Sequence, residues 1–260
     1  MLIDIGVNLT SGQFASDVTD VIDRAKNSGV EKLIITGTSI PESIQAEKMA
    51  TQQPGELYST AGIHPHHAKE FNQDSIQSLT DLLEKESVVA VGECGLDYNR
   101  NFSEPADQRR CFSEQLELAA NKNKPVFLHQ RDAHEDFVKL LSEHLSQIPA
   151  AVAHCFTGSV EEMQQYLDMG LYIGITGWIC DERRGQELKS IVNKIPLERL
   201  MLETDAPYLL PRDLRPKPKS RRNEPMYLPH IAEVLAECYG MGVNEIEKLT
   251  VENTQRFFKL

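Results

Sequence analysis

Six side chains able to bind a metal ion or move a proton stand where short apolar runs of the chain come to an end. His64 and His66 follow one run, and Glu93, His129, His154 and Asp205 close four others. Imidazoles and carboxylates in this combination suit a divalent cation. Such an ion lowers the pKa of a bound water and neutralises charge developing on a scissile phosphodiester or amide, while a carboxylate within hydrogen-bond reach takes the water's proton. Asp205 is the candidate for that base, with Glu93 beside it in the reaction. Taken singly, a His or Glu at a strand end is more often a loop hydrogen-bonder or helix cap than a ligand. Ordinary surface positions would have drawn Lys, Ser and Asn as readily, yet five separate runs end in His, Glu or Asp. Glu93, His129, His154 and Asp205 are therefore read together as metal ligands. His67 is left to a helix-entry role.

To bring these groups to one place, the apolar runs must be strands of a common sheet. Eight runs alternate with amphipathic segments: Leu2–Ile5, Lys32–Thr36, Leu57–Ile63, Val88–Glu93, Val126–His129, Ala151–His154, Leu171–Ile175 and Leu200–Asp205. Alternation of this kind marks repeated βα units around a parallel sheet. Pro41, the stretch Ser103-Glu-Pro-Ala-Asp107 and the capping box Ser159-Val-Glu-Glu162 mark helix starts. Eight units in 260 residues is about 32 residues each, the size of a single-domain (β/α)8 TIM barrel, whose strand C-termini gather at the face that carries active sites. A doubly wound open sheet would carry a Gly-rich turn after its first strand, and Asp4-Ile-Gly-Val-Asn8 is not one. No linker or repeat interrupts the pattern, so residues 1–260 are read as one domain.

The composition narrows the class. With 27 Lys and Arg against 39 Asp and Glu, the net charge of -12 argues against a broad basic surface that grips duplex DNA. The five cysteines are scattered and never spaced as C-x-x-C, which fits a reducing compartment. No stretch approaches the ~20 apolar residues of a membrane span, and Met1–Thr10 lacks the regions of a secretion leader, so a cytoplasmic monomer is expected.

The charge is uneven. Arg212–Arg222 carries six basic residues and one acidic residue, a local +5 that leaves the remainder at -17. An isolated basic, proline-rich loop is usually just solvated. This one follows Asp205 directly, and Arg suits bidentate phosphate recognition, so Arg221 and Arg222 are candidates for substrate binding. Tyr98, Phe102, Trp178 and Tyr208 fall in the same set of loops, where aromatic rings can stack an unpaired base.

The segments Ala61-Gly-Ile-His-Pro-His66, Gly92-Glu-Cys-Gly-Leu-Asp97, Pro125-Val-Phe-Leu-His129, Ala153-His-Cys-Phe-Thr-Gly158 and Glu203-Thr-Asp-Ala-Pro-Tyr208 resemble the signatures of the TatD family of metal-dependent deoxyribonucleases. The resemblance implies a barrel hydrolase that removes nucleotides from the 3′ ends of single-stranded DNA or RNA, usually with Mg2+. It carries metal binding to Glu93, His129 and His154 and the catalytic acidic role to Asp205, and it places His64 and His66 to hold a substrate phosphate or its water. Residue chemistry alone ranks Mn2+ or Zn2+ equal to Mg2+, since imidazoles suit those ions. One departure stands out: Gly6 and Asn8 occupy the places where family members commonly carry two histidines of a second metal site. One firmly held ion is therefore expected. The same barrel chemistry also serves hydrolysis of a cyclic amide or an aminoacyl ester, and the missing histidines would permit a barrel that only binds nucleic acid.

Overall fold

A computed structural model describes residues 1–260. The strands are β1 (Leu2–Val7), β2 (Val30–Ile35), β3 (Leu57–Ala61), β4 (Val88–Asp97), β5 (Val126–Arg131), β6 (Ala151–Ala153), β7 (Tyr172–Ile175) and β8 (Leu200–Leu202). They follow one another in sequence order in a single eight-stranded sheet, the (β/α)8 arrangement expected from the alternation. Between them lie α1 (Val18–Asn27), α2 (Ile40–Gln52), α3 (Gln73–Leu83), α4 (Pro105–Lys122), α5 (His134–His144), α6 (Val160–Asp168) and α7 (Gln186–Ile191). Two helices, α8 (Leu228–Tyr239) and α9 (Val243–Phe258), follow β8 where the sequence pattern counted one segment.

The backbone divides into two compact units, Met1–Ile35 with Cys155–Asp168 and Tyr172–Leu260, and Thr36–His154 with Met169–Leu171. In the first, β1 is wholly buried, and α9 closes on β8 through Asn253, whose amide donates to the carbonyls of Leu197 and Leu200 at 2.7 and 2.8 Å. Phe257 meets Tyr172 edge-on with ring centroids 5.3 Å apart. In the second, all ten residues of β4 are buried, and Phe112 of α4 stacks on Phe137 of α5 at 5.5 Å. The burial of apolar side chains on both elements is what holds a strand between helices, because each removes apolar surface from water.

Helix starts follow the local chemistry. Ser39 caps α2, with Pro41 in its first turn, and Ser159 and Glu162 exchange backbone and side-chain hydrogen bonds as a capping box on α6. At α4 the N-cap is Glu104, not Ser103. The Ser103 hydroxyl donates to the His66 carbonyl and accepts from the Lys69 backbone N–H, so it ties that loop together instead.

Two strand ends differ from the apolar runs. β4 continues past Glu93 to Asp97, and β8 stops at Leu202, three residues short of Asp205.

Candidate metal centre

The motif Gly92-Glu-Cys-Gly95 fixes the centre of the second unit. β4 pairs in parallel with β5, Cys94 with Leu128 and Gly95 with His129, after a shift of register that begins at Val91. The two glycines allow the approach: a Cβ at Gly95 would lie 1.9 Å from the His129 carbonyl oxygen, and one at Gly92 would lie 2.3 Å from that of Phe127. Both have positive φ, +144 and +137, which side chains rarely tolerate. β4 is thereby pressed against β5 so that Glu93 and His129 meet.

Three imidazoles converge on one carboxylate oxygen. Glu93 Oε1 lies 2.9 Å from His154 Nε2, 3.0 Å from His129 Nδ1 and 3.3 Å from His64 Nε2. Glu93, His154 and His64 are buried, so these polar atoms have exchanged water for one another. The short 3-10 turn Pro65–Glu70 sets the His64 ring, because the His66 backbone N–H donates to His64 Nδ1 at 3.1 Å and leaves Nε2 facing the carboxylate. His67 sits within that turn, 3.7 Å from Glu70, in keeping with its helix-entry role.

A second carboxylate holds the histidines from behind. Asp97 Oδ2 bonds His66 Nε2 at 2.8 Å and lies 3.5 Å from His129 Nε2, while Oδ1 accepts the backbone N–H groups of Asn99 and Arg100, both at 3.0 Å. Gln108 clamps the Asp97 peptide, accepting from its N–H at 2.8 Å and donating to its carbonyl at 3.0 Å. Phe102, more than half exposed, sets its ring 4.7 Å from that of His66.

The electrostatics follow from these contacts. Burial raises the Glu93 carboxyl, but the facing imidazoles of His154, His64 and His129 outweigh it and hold the group well below the ordinary carboxylate range. Asp97 behaves alike: burial is overcome by His129 and His66, and its carboxyl lies below its usual range. Burial pushes the His64 imidazole down to about 4, which keeps it neutral and able to donate a lone pair. His129 goes the other way, since the Asp97 and Glu93 carboxylates more than offset its burial.

The donor set fits a divalent cation. His64, Glu93 and His129 each offer a ligand atom within 4.8 Å of the others, and His154 Nε2 faces the same Glu93 oxygen. His129 faces Glu93 with Nδ1, while its buried Nε2 is turned toward Asp97 at 3.5 Å, outside hydrogen-bond geometry. His64 thus belongs geometrically with the ligand candidates, whereas the family resemblance sets it with phosphate binding. Its direction depends on the Pro65–Glu70 turn, which no motif reveals.

Asp205 lies in the first unit. Its carboxylate oxygen Oδ1 accepts from Asn8 Nδ2 at 3.0 Å, and its backbone N–H donates to the Gly6 carbonyl at 2.9 Å. Two neighbours are buried acids. Asp4 accepts from the Thr204 backbone N–H at 2.9 Å and from the Gly6 N–H at 3.2 Å, and burial pushes its carboxyl up to about 7. Glu203 accepts a hydrogen bond from the Cys155 backbone N–H. Cys94 is fully buried as strand alternation implies, but Cys155 is only partly so.

The basic segment is partly spent on structure. Arg222 donates to the Gln13 carbonyl at 2.7 Å, to both oxygens of Asp17 at 2.8 and 2.7 Å and to Glu224 at 2.8 Å. Its guanidinium therefore anchors the segment's end instead of facing solvent. Arg221 is exposed and, with Arg184, Arg212 and Lys217, lines a cavity of about 530 Å³ whose wall also includes Leu209 and Leu214. Trp178 lies under Arg184, 4.3 Å from ring to guanidinium, and Tyr98 donates to Asp136 at 2.7 Å, so both rings have packing roles.

A (β/α)8 fold with a buried His/Glu cluster defines the class of metal-dependent barrel hydrolases. The chain belongs to the TatD related DNase family, whose model matches residues 3–259. It is 55% identical over its whole length to the full-length 3′-5′ ssDNA/RNA exonuclease TatD of Edwardsiella piscicida, and 54% identical, again with full coverage of both chains, to the protein of that name from Yersinia pseudotuberculosis. Among solved structures it resembles YJJV, a TatD homologue from Escherichia coli K12, with TM-score 0.90, 29% identity and coverage of 100% and 98% of the two chains. A TatD family hydrolase from Entamoeba histolytica is similar at TM-score 0.89 and 29% identity, over 99% and 97% of the chains.

Proposed function

We propose that this protein is a metal-dependent 3′-5′ exonuclease acting on single-stranded DNA and RNA. The observation that carries the reading is the convergence of His64, His129 and His154 on Glu93 Oε1 in a chain whose close relatives bear that activity in their names. Glu93, His129 and His154, as expected, would hold the cation, with His64 added to them by its place at the Glu93 oxygen and Asp205, expected as a ligand too, kept here as the base; the ion is taken to be Mg2+, with Mn2+ or Zn2+ as the ions that imidazoles favour on chemistry alone. When bound, the ion supplies activation of water and neutralisation of charge at the phosphodiester.

The chain's own residues do the rest. Asp97 fixes His66 and stands behind His129, and Gln108 fixes Asp97, so the donors are positioned before a substrate arrives. His66 presents its imidazole to the substrate phosphate. Asp205, oriented by Asn8, takes the proton from the attacking water, an assignment that rests on its place in the Glu203–Tyr208 motif. Exposed Phe102 beside His66 offers an unpaired base a ring to stack on. Arg221 draws the phosphate backbone, while Arg222 holds the segment that carries it. The reading includes one domain over residues 1–260, a monomer, and a cytoplasmic location that the five free cysteines support. No helix is long and apolar enough to cross a membrane.

Timed digestion of single strands labelled at either end, with and without EDTA, tests this function. Mononucleotide release from the 3′ end that stops in EDTA is expected. Intact oligonucleotides, with hydrolysis of a dihydropyrimidine or an aminoacyl-tRNA instead, would replace the reading with the carbonyl-bond alternative.

A further inference from the structure

A second group of metal-ligating side chains lies within the first unit, apart from the histidine cluster. Cys180 ends the short 3-10 turn Gly177–Cys180 that follows β7, Asp213 lies in the segment after β8, and His230 is in the first turn of α8. One ligand atom of each lies within 4.8 Å of the other two. His230 Nε2 is 2.7 Å from Asp213 Oδ1, and its other ring nitrogen is 3.5 Å from Glu233 Oε2. Cys180 is buried, whereas Asp213 and His230 keep about a quarter of their side chains in contact with solvent, so an ion can reach them.

We infer that Cys180, Asp213 and His230 form a second cation site, selective for a thiophilic divalent ion of the Zn2+ class. One sulfur, one nitrogen and one oxygen donor are the mixed set that Zn2+ accepts in tetrahedral geometry, with water in the fourth position. Mg2+ and Ca2+ have no use for the thiol, and it is this sulfur that sets the site apart from the sulfur-free histidine and glutamate cluster. Donor atoms around such an ion stand roughly 3.3–3.8 Å apart, as Zn–N, Zn–O and Zn–S lengths imply. The three ligand atoms lie within 4.8 Å of one another, and the Asp213–His230 pair, at 2.7 Å, opens by a fraction of an ångström to admit the ion. Glu233 then serves as the carboxylate behind the histidine, facing the ring nitrogen that does not bind.

The proton balance is simple. The Cys180 sulfur–metal bond replaces its S–H bond, the proton leaves to solvent, and no electron is transferred. Burial and the neighbouring Asp213 carboxylate disfavour the thiolate without an ion, so the thiol stays protonated until a cation compensates the charge. Lys189 is the cation that faces Cys180 in the other sense. The ion's effect on the fold follows from where the donors are. Asp213 immediately follows Arg212 of the basic cavity, so a bound ion ties that cavity's wall to α8 and to the turn after β7.

The site is independent of the nuclease reading, and its test is spectroscopic. The full-length protein, stripped with EDTA and then titrated with Co2+, is expected to develop a near-ultraviolet thiolate-to-cobalt charge-transfer band that excess Zn2+ abolishes and Mg2+ leaves intact. The histidine cluster contains no sulfur, so that band reports on a cysteine site alone. Cys180→Ser should remove it, and Asp213→Asn and His230→Gln should each weaken Co2+ binding at least tenfold, with nuclease activity retained. No band in the native chain, or a band undiminished in Cys180→Ser, would overturn the site. Should Cys180→Ser fail to fold, native affinity in both Asp213→Asn and His230→Gln would overturn it equally.

Discussion

Asn8 Nδ2 donates a 3.0 Å hydrogen bond to Asp205 Oδ1, joining the residue just beyond β1 to the acid that follows β8. The backbone repeats the link, for Asn8 N–H donates to the Ala206 carbonyl at 2.8 Å and Asp205 N–H to that of Gly6 at 2.9 Å. The amide at position 8 is thus spent on orienting a carboxylate. Gly6 has no side chain to offer a metal, so the first strand contributes no imidazole to a cation.

The number of ions follows from this. The histidine cluster of the Cys180→Ser variant, in which the sulfur site is removed, should bind one Mn2+ tightly per chain in equilibrium dialysis. Two tight ions per chain would mean that Asn8 or another group completes a second position.

Positioning and chemistry separate kinetically. Asp205→Asn should lower kcat by roughly 10²–10⁴, the range of a lost general base, with KM little changed. Asn8→Ala keeps the carboxylate but frees its orientation, so a smaller fall in kcat of about tenfold is expected, on the scale of lost support for a reacting group. Equal losses in the two variants would contradict a merely orienting role for Asn8.

Neighbouring arginines should behave differently. Arg221→Ala should weaken oligonucleotide binding and reduce the slope of log affinity against log salt by about one unit per lost phosphate contact. Arg222→Ala leaves Asp17 and Glu224 facing one another with only Arg24 between, and should cost about 1–3 kcal/mol of stability in urea unfolding, the scale of a charged hydrogen bond. A salt slope that changes in Arg222→Ala alone would reverse these roles.

Asp4 makes stability pH-dependent. Its carboxyl is pushed up to about 7 in the folded chain, from 3.8, because burial outweighs the hydrogen bonds from Thr204 and Gly6. The folded state therefore retains this proton where the unfolded state has lost it. The contribution is fully present below the unfolded pKa and is lost as pH rises through about 7. One such proton gives a slope of up to about 1.4 kcal/mol per pH unit, and Asp4→Asn should flatten the curve in that window. Urea unfolding of both forms from pH 4 to 8 measures it.

Much of this was legible in the chain because apolar runs and ionisable ends are local signals. Val88–Glu93 or Ala151–His154 need only be read along the sequence. The extension of β4 to Asp97 was not, since it depends on glycines that let β4 lie against β5. The early end of β8 has a similar origin: Thr204 turns its N–H to the Asp4 side chain, and pairing with the first strand resumes only at the isolated bridge between Val7 and Ala206. Asp97 both orients ligands and caps a loop, one oxygen facing the imidazoles and the other taking two backbone N–H groups, a double role that no local pattern displays. Arg222 looked like a free cation within a basic run, but its main partner Asp17 is 205 residues away, a distance at which charge pattern carries no information.

The role of Glu93 is tested most directly by measuring Mn2+ binding and 3′-end digestion together in Glu93→Gln. The amide keeps the side chain's shape but removes the charge on which His64, His129 and His154 converge. Loss of tight Mn2+ binding from the cluster with a fall of at least about 10² in kcat is the expected result. Native metal affinity and native digestion would contradict the assignment of this cluster as the catalytic metal centre.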